Sequence, residues 1–213
     1  MSTPVDFPVC LRLAGKRVLL VGAGAIAEER GRQLVEAGAR LRVVAPEAGP
    51  GLRQLADAGR LEWLARAWAP GDARGQDLVF VATDDARVSE AVAAEARALG
   101  LWLNTADVPE LCDFTLPSVG RRGPIVVAVS TSGQAPALAR LLRERFVAQV
   151  LPGHVRLARL TGWLRKRLPR GPARMRLLKH LVEGEAGALL IRGQRREAWV
   201  RVRAALESLG DTT

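Results

Sequence analysis

Cysteine, histidine and long apolar runs are all scarce in this chain. Only two cysteines and two histidines stand among its 213 residues. Cys10 and Cys112 lie far apart and form no paired motif, which suits a reducing cytoplasm better than a disulfide scaffold. With His154 and His180 alone and no cysteine cluster, no preformed zinc or iron site is expected. Both histidines are expected in ordinary surface or core roles. No stretch approaches the roughly 18 apolar residues needed to cross a bilayer. Met1 to Pro8 shows no basic segment followed by a long apolar one, so no secretion signal is expected. There is no internal repeat. Lysine is rare too, at three of the 32 basic residues.

What is present is the material of a globular α/β protein. Hydrophobic residues make up 48% of the chain, enough to bury a real core. The most informative segment is Arg17-Val-Leu-Leu-Val-Gly-Ala-Gly-Ala-Ile-Ala27. Val18 to Val21 suit a buried parallel strand, Gly22 and Gly24 follow at once, and a helical pattern is under way by Ala27. This is the form of a dinucleotide-binding turn with Ala in the third small position. Gly22 permits the tight turn, Gly24 lets backbone approach a pyrophosphate, and Ala27 keeps helix close to strand. The helix N-terminus then offers free N–H groups and a positive dipole end. Gly38 stops the helix, and Leu41 to Val44 supply a second strand that completes a βαβ unit. The acid that usually grips the ribose, about 20 residues past the glycines, is missing. Either Glu47 reaches back or backbone alone holds the ribose, and Arg40 and Arg42 leave NADP open.

Further along, a helix is expected over 51–59, a short strand over 60–66, a strand over 77–82, a helix over 88–99 and a strand over 101–104. This alternation predicts a Rossmann-like, doubly wound parallel sheet. After about residue 112 the pattern changes. An extended segment from Phe114, a turn at Arg121-Arg-Gly-Pro124 and a strand over 125–130 predict a hairpin. A helix with Pro136 in its first turn follows, running through Phe146. Leu151-Pro-Gly153 reads as a break, and the remainder as helices interrupted at 169–172 and 184–187. The expected division is a nucleotide-binding domain over 1–112, a small β-α dimerisation segment over 113–150 and a basic helical domain over 151–213. The +10 net charge is concentrated in the last part, where 14 Lys and Arg face 5 Asp and Glu. Such a segment attracts polyanions, whether nucleic acid, membrane surface or small molecule, or is simply a solvated face.

Ligands of open α/β sheets bind beyond the carboxyl ends of the strands. Three polar clusters fall there: the turn Gly22-Ala-Gly-Ala-Ile26, Thr83-Asp-Asp85, and Asn104-Thr-Ala-Asp107. Asp107, just past a strand end, is placed to take a proton or orient a substrate, or else to cap the turn before Pro109. Asp84 and Asp85 read as helix caps or ribose contacts. Ser130, Thr131 and Ser132 join strand to helix and either bind an anion or cap the helix.

In this order the pieces resemble the precorrin-2 dehydrogenase family, the N-terminal part of siroheme synthases. The resemblance rests on Cys10-Leu-Arg-Leu13, Val21-Gly-Ala-Gly-Ala-Ile-Ala-Glu28, Leu34-Val-Glu-Ala-Gly-Ala39 and Val44-Ala-Pro46. It continues through Ala82-Thr-Asp-Asp85, Asn104-Thr-Ala-Asp107, Phe114-Thr-Leu-Pro-Ser118, Val127-Ala-Val-Ser130 and Pro136 to Glu144. It covers about residues 7–150, while the helical tail matches in length and character. Val-Ala-Pro at the second strand end is the family habit, which accounts for the missing acid. The resemblance implies oxidation of precorrin-2 to sirohydrochlorin with NAD, and in some members insertion of ferrous iron as a second substrate. It implies cofactor contacts from Gly22, Ala23, Gly24, Ala25, Ile26, Ala45, Pro46, Thr83, Asp84 and Asn104. It makes Asp107 the catalytic residue and assigns substrate contacts to Ser118, Ser130, Thr131 and Ser132. The polycarboxylate tetrapyrrole gives the basic tail a purpose. A cytoplasmic homodimer formed through 113–150 is implied, with no resident metal, nucleic acid or membrane. Ala23 and Glu29-Arg30 depart from the family's usual Gly and basic pair, and Thr131 stands where a second serine is frequent. The sequence ends at Thr213, so a methyltransferase domain is not expected. The alternative from another class is an NADH-sensing regulator whose basic tail binds DNA, although no clear helix-turn-helix pattern lies in 151–213.

Overall fold

The computed structural model describes residues 6–210, with side chains described as far as Glu207. Two compact units make up the chain, Met1–Thr115 and Leu116–Thr213.

The first unit runs β1 (Arg17–Val21), α1 (Ala25–Glu36), β2 (Arg40–Val44), α2 (Pro50–Asp57), β3 (Glu62–Leu64), β4 (Leu78–Val81), α3 (Ala86–Ala98) and β5 (Trp102–Thr105). All five strands are parallel, in the order β3-β2-β1-β4-β5. This is the Rossmann-like doubly wound sheet, with its switch point between β1 and β4. The central strand explains the unbroken apolar run. Val18 and Leu20 pack on one face with Leu34, Leu41 and Leu52, while Leu19 and Val21 pack on the other with Val79, Val92 and Leu103. A strand covered on both faces has no polar side to show. Gly31 of α1 lets the helix approach Leu52, whose Cδ2 would lie 2.6 Å from an added Cβ.

The connection from β3 to β4 is irregular but tied down. Asp72 accepts two bonds from Arg66, at 2.6 and 2.8 Å, and one from the Ala69 amide at 2.9 Å. The Arg66 bonds hold its carboxyl below the ordinary carboxylate range, against some desolvation. Glu95 of α3 accepts from the amides of Gly71 and Ala73, at 2.9 and 3.0 Å. These two carboxylates replace the backbone pairing that a helix would have supplied.

The second unit opens with an antiparallel hairpin, β6 (Ser118–Arg122) and β7 (Ile125–Val129). The expected turn at 121–124 is shorter in the structure. Gly123 adopts φ +56, which closes the connection in Gly123 and Pro124 and keeps both arginines in β6. Then come α4 (Pro136–Gln149), α5 (Pro152–Arg167), α6 (Pro172–Glu183), α7 (Glu185–Arg192) and α8 (Arg195–Gly210). Gly120 gives α4 room, since a Cβ there would meet Val147 and Arg143. Pro152 and Pro172 open α5 and α6 at their first turns, where a missing N–H is harmless. The expected interruption over 184–187 occurs at Gly184 alone. Gly187 lies buried inside α7, where a Cβ would strike the carbonyls of Leu181 and Val182. The next break comes at Gly193, with φ +86. Leu157, Leu164, Leu177, Leu181, Leu189 and Val202 form the cores of this helical part.

Candidate functional site

Parallel pairing brings the carboxyl ends of the strands to one edge. Val21 is in register with Val44 and Val81, and Val81 with Thr105. The ladder runs one residue further. The Gly22 amide donates to Val44 at 3.0 Å, Ala82 to Val21 at 2.8 Å and Ala106 to Val81 at 2.8 Å. The glycine turn, Thr83, Asp84 and Asp107 therefore leave the sheet side by side.

The two glycines of the turn differ in what demands them. Gly22 has φ +101, and a Cβ there would run into the Ala82 carbonyl. Its smallness serves the fold. Gly24 has φ −71, ordinary for any residue, and an added Cβ would meet nothing within 4 Å. Nothing in the protein requires a glycine there; open space lies in front of it. Gly24 is also the N-cap of α1, with no side chain capping the helix. The first-turn amides and the dipole thus face that space. A cavity of about 570 Å³ adjoins it, lined by Ala23, Gly24 and Ala25 with Glu28, Gly49 and Pro50 among the rest. Ile26 stands half exposed on the first turn. The arrangement fits a dinucleotide pyrophosphate.

Other expected groups have defined surroundings. Ala45 is buried and its carbonyl accepts from Trp63 Nε1 at 3.0 Å, while Pro46 is exposed. Arg42 pairs with Glu62 at 2.7 Å, and Arg40 begins β2 at the opposite edge of the sheet. Thr83 Oγ1 accepts from the Asp85 amide at 3.3 Å. Asp85 caps α3, accepting from Arg87 at 2.9 Å and Val88 at 3.3 Å, and Asp84 remains exposed beside it.

Asp107 is exposed and has φ +59, a left-handed conformation that costs a non-glycine residue about 1 kcal/mol. The segment after it doubles back along β5. Cys112 Sγ accepts from the Thr105 amide at 3.2 Å and lies 3.2 Å from the Thr105 carbonyl and 3.4 Å from that of Val108. Asp113 accepts from the Leu103 amide at 2.8 Å and its own amide returns a bond to the Leu103 carbonyl at 2.9 Å. Asn104 Nδ2 donates to the Phe114 carbonyl at 2.9 Å. Residues 112–114 thus clasp the turn that carries Asp107. Sequence reasoning missed Cys112 and Asp113, and also Glu28, whose carboxylate crosses to the first turn of α2. Their position close to motif residues was the only available signal.

In the second unit, Ser130 Oγ accepts from the Ser132 amide and Thr131 Oγ1 from the Ala135 amide, each at 3.1 Å. Thr131 thereby serves the start of α4, and Ser132 takes φ +48. Ser118 begins β6 opposite Val129. A separate basic hollow of about 350 Å³ is lined by Arg176, Lys179, His180, Glu183 and Gly184. Among the described residues, no three His, Cys, Asp or Glu side chains converge as a metal site, and no helix is long and apolar enough to cross a membrane.

Comparison with known proteins adds to this geometry. Residues 9–118 match a family model for NAD(P)-binding, and residues 122–149 match one for the central part of sirohaem biosynthesis proteins. The chain is 40% identical over 199 residues to siroheme synthase 1 of Aeromonas salmonicida, covering 93% of this chain and 39% of that protein. It is 40% identical over 191 residues to the siroheme synthase of Chromobacterium violaceum, covering 88% and 41%. The chain thus spans about two fifths of the length of these relatives. A solved structure described as SirC, precorrin-2 dehydrogenase, superposes with a TM-score of 0.77 over 97% of this chain and all of that one, at 24% identity, a likeness of fold.

Proposed function

The chain belongs to the NAD(P)-binding family carried by siroheme synthases, and on that premise we propose that it oxidises precorrin-2 to sirohydrochlorin with NAD. The oxidation removes two hydrogens and leaves a new double bond in the macrocycle, one hydrogen departing as hydride and the other as a proton. When bound, the nicotinamide supplies the hydride acceptor. Residues 1–112 serve as the cofactor domain. Gly22 to Ile26 hold the pyrophosphate, Ala45 and Pro46 flank the ribose, and Thr83, Asp84 and Asn104 border the nicotinamide end. Asp107 takes the proton, its carboxylate held near the reacting carbon by the turn that Cys112 and Asp113 clasp.

The substrate is a ring of carboxylate arms. Arginines of 151–213 attract it, and Ser118, Ser130, Thr131 and Ser132 contact its arms. The segment 113–150 pairs two copies. Its hairpin has only two strands, Val119 and Val126 are exposed on it, and Ala139 is the one buried residue of α4. α4 packs on one face of the hairpin, and a second copy would cover the face that carries Val119 and Val126. Two free cysteines and the cofactor requirement suit the cytoplasm.

The observation that carries this reading is the open space before Gly24 at an uncapped helix start. The test is anaerobic conversion of precorrin-2 by the purified protein with NAD, followed by the absorbance of sirohydrochlorin. Ferrous iron is then added. Conversion that needs both protein and NAD supports the dehydrogenase, and a shift faster than the spontaneous one adds ferrochelatase activity. No oxidation with either NAD or NADP would overturn the reading.

A further inference from the structure

Glu28 sits in the first turn of α1 but reaches the start of α2. Its Oε2 accepts from the Gly51 amide at 3.1 Å. Two glycines make way for it. A Cβ on Gly49 would lie 2.5 Å from Oε2, and one on Gly51 would meet Oε1. Glu28 lines the same cavity as Ala23, Gly24 and Ala25, together with Glu29 and Arg32. Arg32 Nη2 lies 3.4 Å from Glu28 Oε1.

In a βαβ unit this cavity, between the glycine turn and the loop after the second strand, receives the adenosine ribose. The acid that grips the ribose hydroxyls ordinarily comes from the end of that second strand, where this chain has Ala45 and Pro46. We propose that Glu28 supplies this function from the neighbouring helix and sets the preference for a dinucleotide with a free 2′-hydroxyl over one with a 2′-phosphate.

The proposal rests on the nucleotide-binding reading above. Three contributions act together. A carboxylate has about four acceptor positions, so Glu28 can hold Gly51 and still accept from a ribose hydroxyl. A 2′-phosphate would instead meet the charges of Glu28 and Glu29. Glu28 also occupies two groups a phosphate would use, the Arg32 guanidinium and an amide at the α2 N-terminus.

The test is equilibrium binding of NAD and NADP to the full chain by isothermal titration. Wild-type protein should bind NAD at least about tenfold tighter, a difference of about 1.4 kcal/mol. Glu28→Gln keeps an oxygen for Gly51 but removes the charge and frees Arg32. It should narrow the NAD-to-NADP ratio at least about fivefold, NAD weakening and NADP strengthening, as expected for a lost like charge of this size. Adding Arg32→Ala should remove the NADP gain and leave the NAD loss. Glu28→Asp keeps the charge but shortens the reach, and should weaken NAD with no gain for NADP. A ratio that moves less in Glu28→Gln, with the melting temperature unchanged, overturns the proposal while leaving nucleotide binding intact. Wild-type protein that binds neither dinucleotide overturns both.

Discussion

Gly22 and Gly24 are separated by one residue, yet substitutions at them should fail in opposite ways. Gly22→Ala forces a side chain onto φ +101 and drives its Cβ into the Ala82 carbonyl. The backbone contribution is about 1–2 kcal/mol. Overpacking against an atom that cannot rotate away adds about 1–3 kcal/mol. A loss of about 3 kcal/mol at roughly 4 °C per kcal/mol lowers the melting temperature by about 12 °C. Gly24 has φ −71 and open space before it, so Gly24→Asp should fold normally. Aspartate is in fact a favoured N-cap and should match or exceed the glycine in stability. Its carboxylate would then stand where the pyrophosphate belongs. At about 4 Å and an effective dielectric near 20, two unit charges repel by about 4 kcal/mol. That corresponds to roughly a thousandfold loss of affinity. Circular-dichroism melts and NAD titration on both variants separate the two effects. A Gly24→Asp protein that binds NAD within about tenfold of wild type would refute the location of the cofactor. A Gly22→Ala protein that melts with wild type would refute the steric argument.

Asp107→Asn should keep the fold, because asparagine tolerates positive φ, and leave NAD affinity unchanged. Its kcat should fall at least about a hundredfold, and an unchanged kcat would remove Asp107 from the proton step. Val119→Glu with Val126→Glu should convert dimers to monomers in light scattering, and a persistent dimer would place the interface elsewhere. Arg176→Gln with Lys179→Gln should raise KM for the tetrapyrrole more than for NAD; equal effects would assign the basic hollow to plain solvation. Asp72 has its folded pKa depressed by Arg66, so its contribution is present above the unfolded carboxylate pKa near 4 and is lost as pH falls through the lower folded value. Asp72→Asn should therefore destabilise by about 1 kcal/mol at pH 7 in urea titrations, and by progressively less as pH falls below the ordinary carboxylate range.

The sheet was legible because its signals are local. Val18 to Val21 are apolar on both faces, Gly38 and Gly100 stop helices with positive φ, and Asp85 stands where α3 needs a cap. The glycine turn could be read for the same reason, since strand, turn and helix are contiguous. The sequence pattern starts the hairpin turn two residues early, because Arg121 and Arg122 look like loop residues although Gly123 and Pro124 suffice. What stayed hidden depends on partners distant in sequence. Glu28 meets Gly51, and Glu95 meets Gly71 and Ala73; Cys112 is nearer to Thr105, but a thiol that receives a backbone amide follows no periodic pattern. An isolated Glu or Cys carries no periodic trace of such a bond. The separate roles of Gly22 and Gly24 were legible from the motif; what only the surrounding atoms reveal is that the Ala82 carbonyl is what excludes a side chain at Gly22.

The fit of Glu28 between two glycines also has a bearing on how this sequence can drift. A β-carbon at Gly49 or Gly51 would meet the Glu28 carboxylate, which would have to move from its present place. Three positions on two helices and a loop are therefore sterically coupled. A β-carbon at either glycine would push the Glu28 carboxylate off the Gly51 amide, whereas a shorter residue 28 would free both positions at once. A lineage with that change could then rebuild the loop with side chains of its own, and a change of coenzyme would become accessible in a few steps.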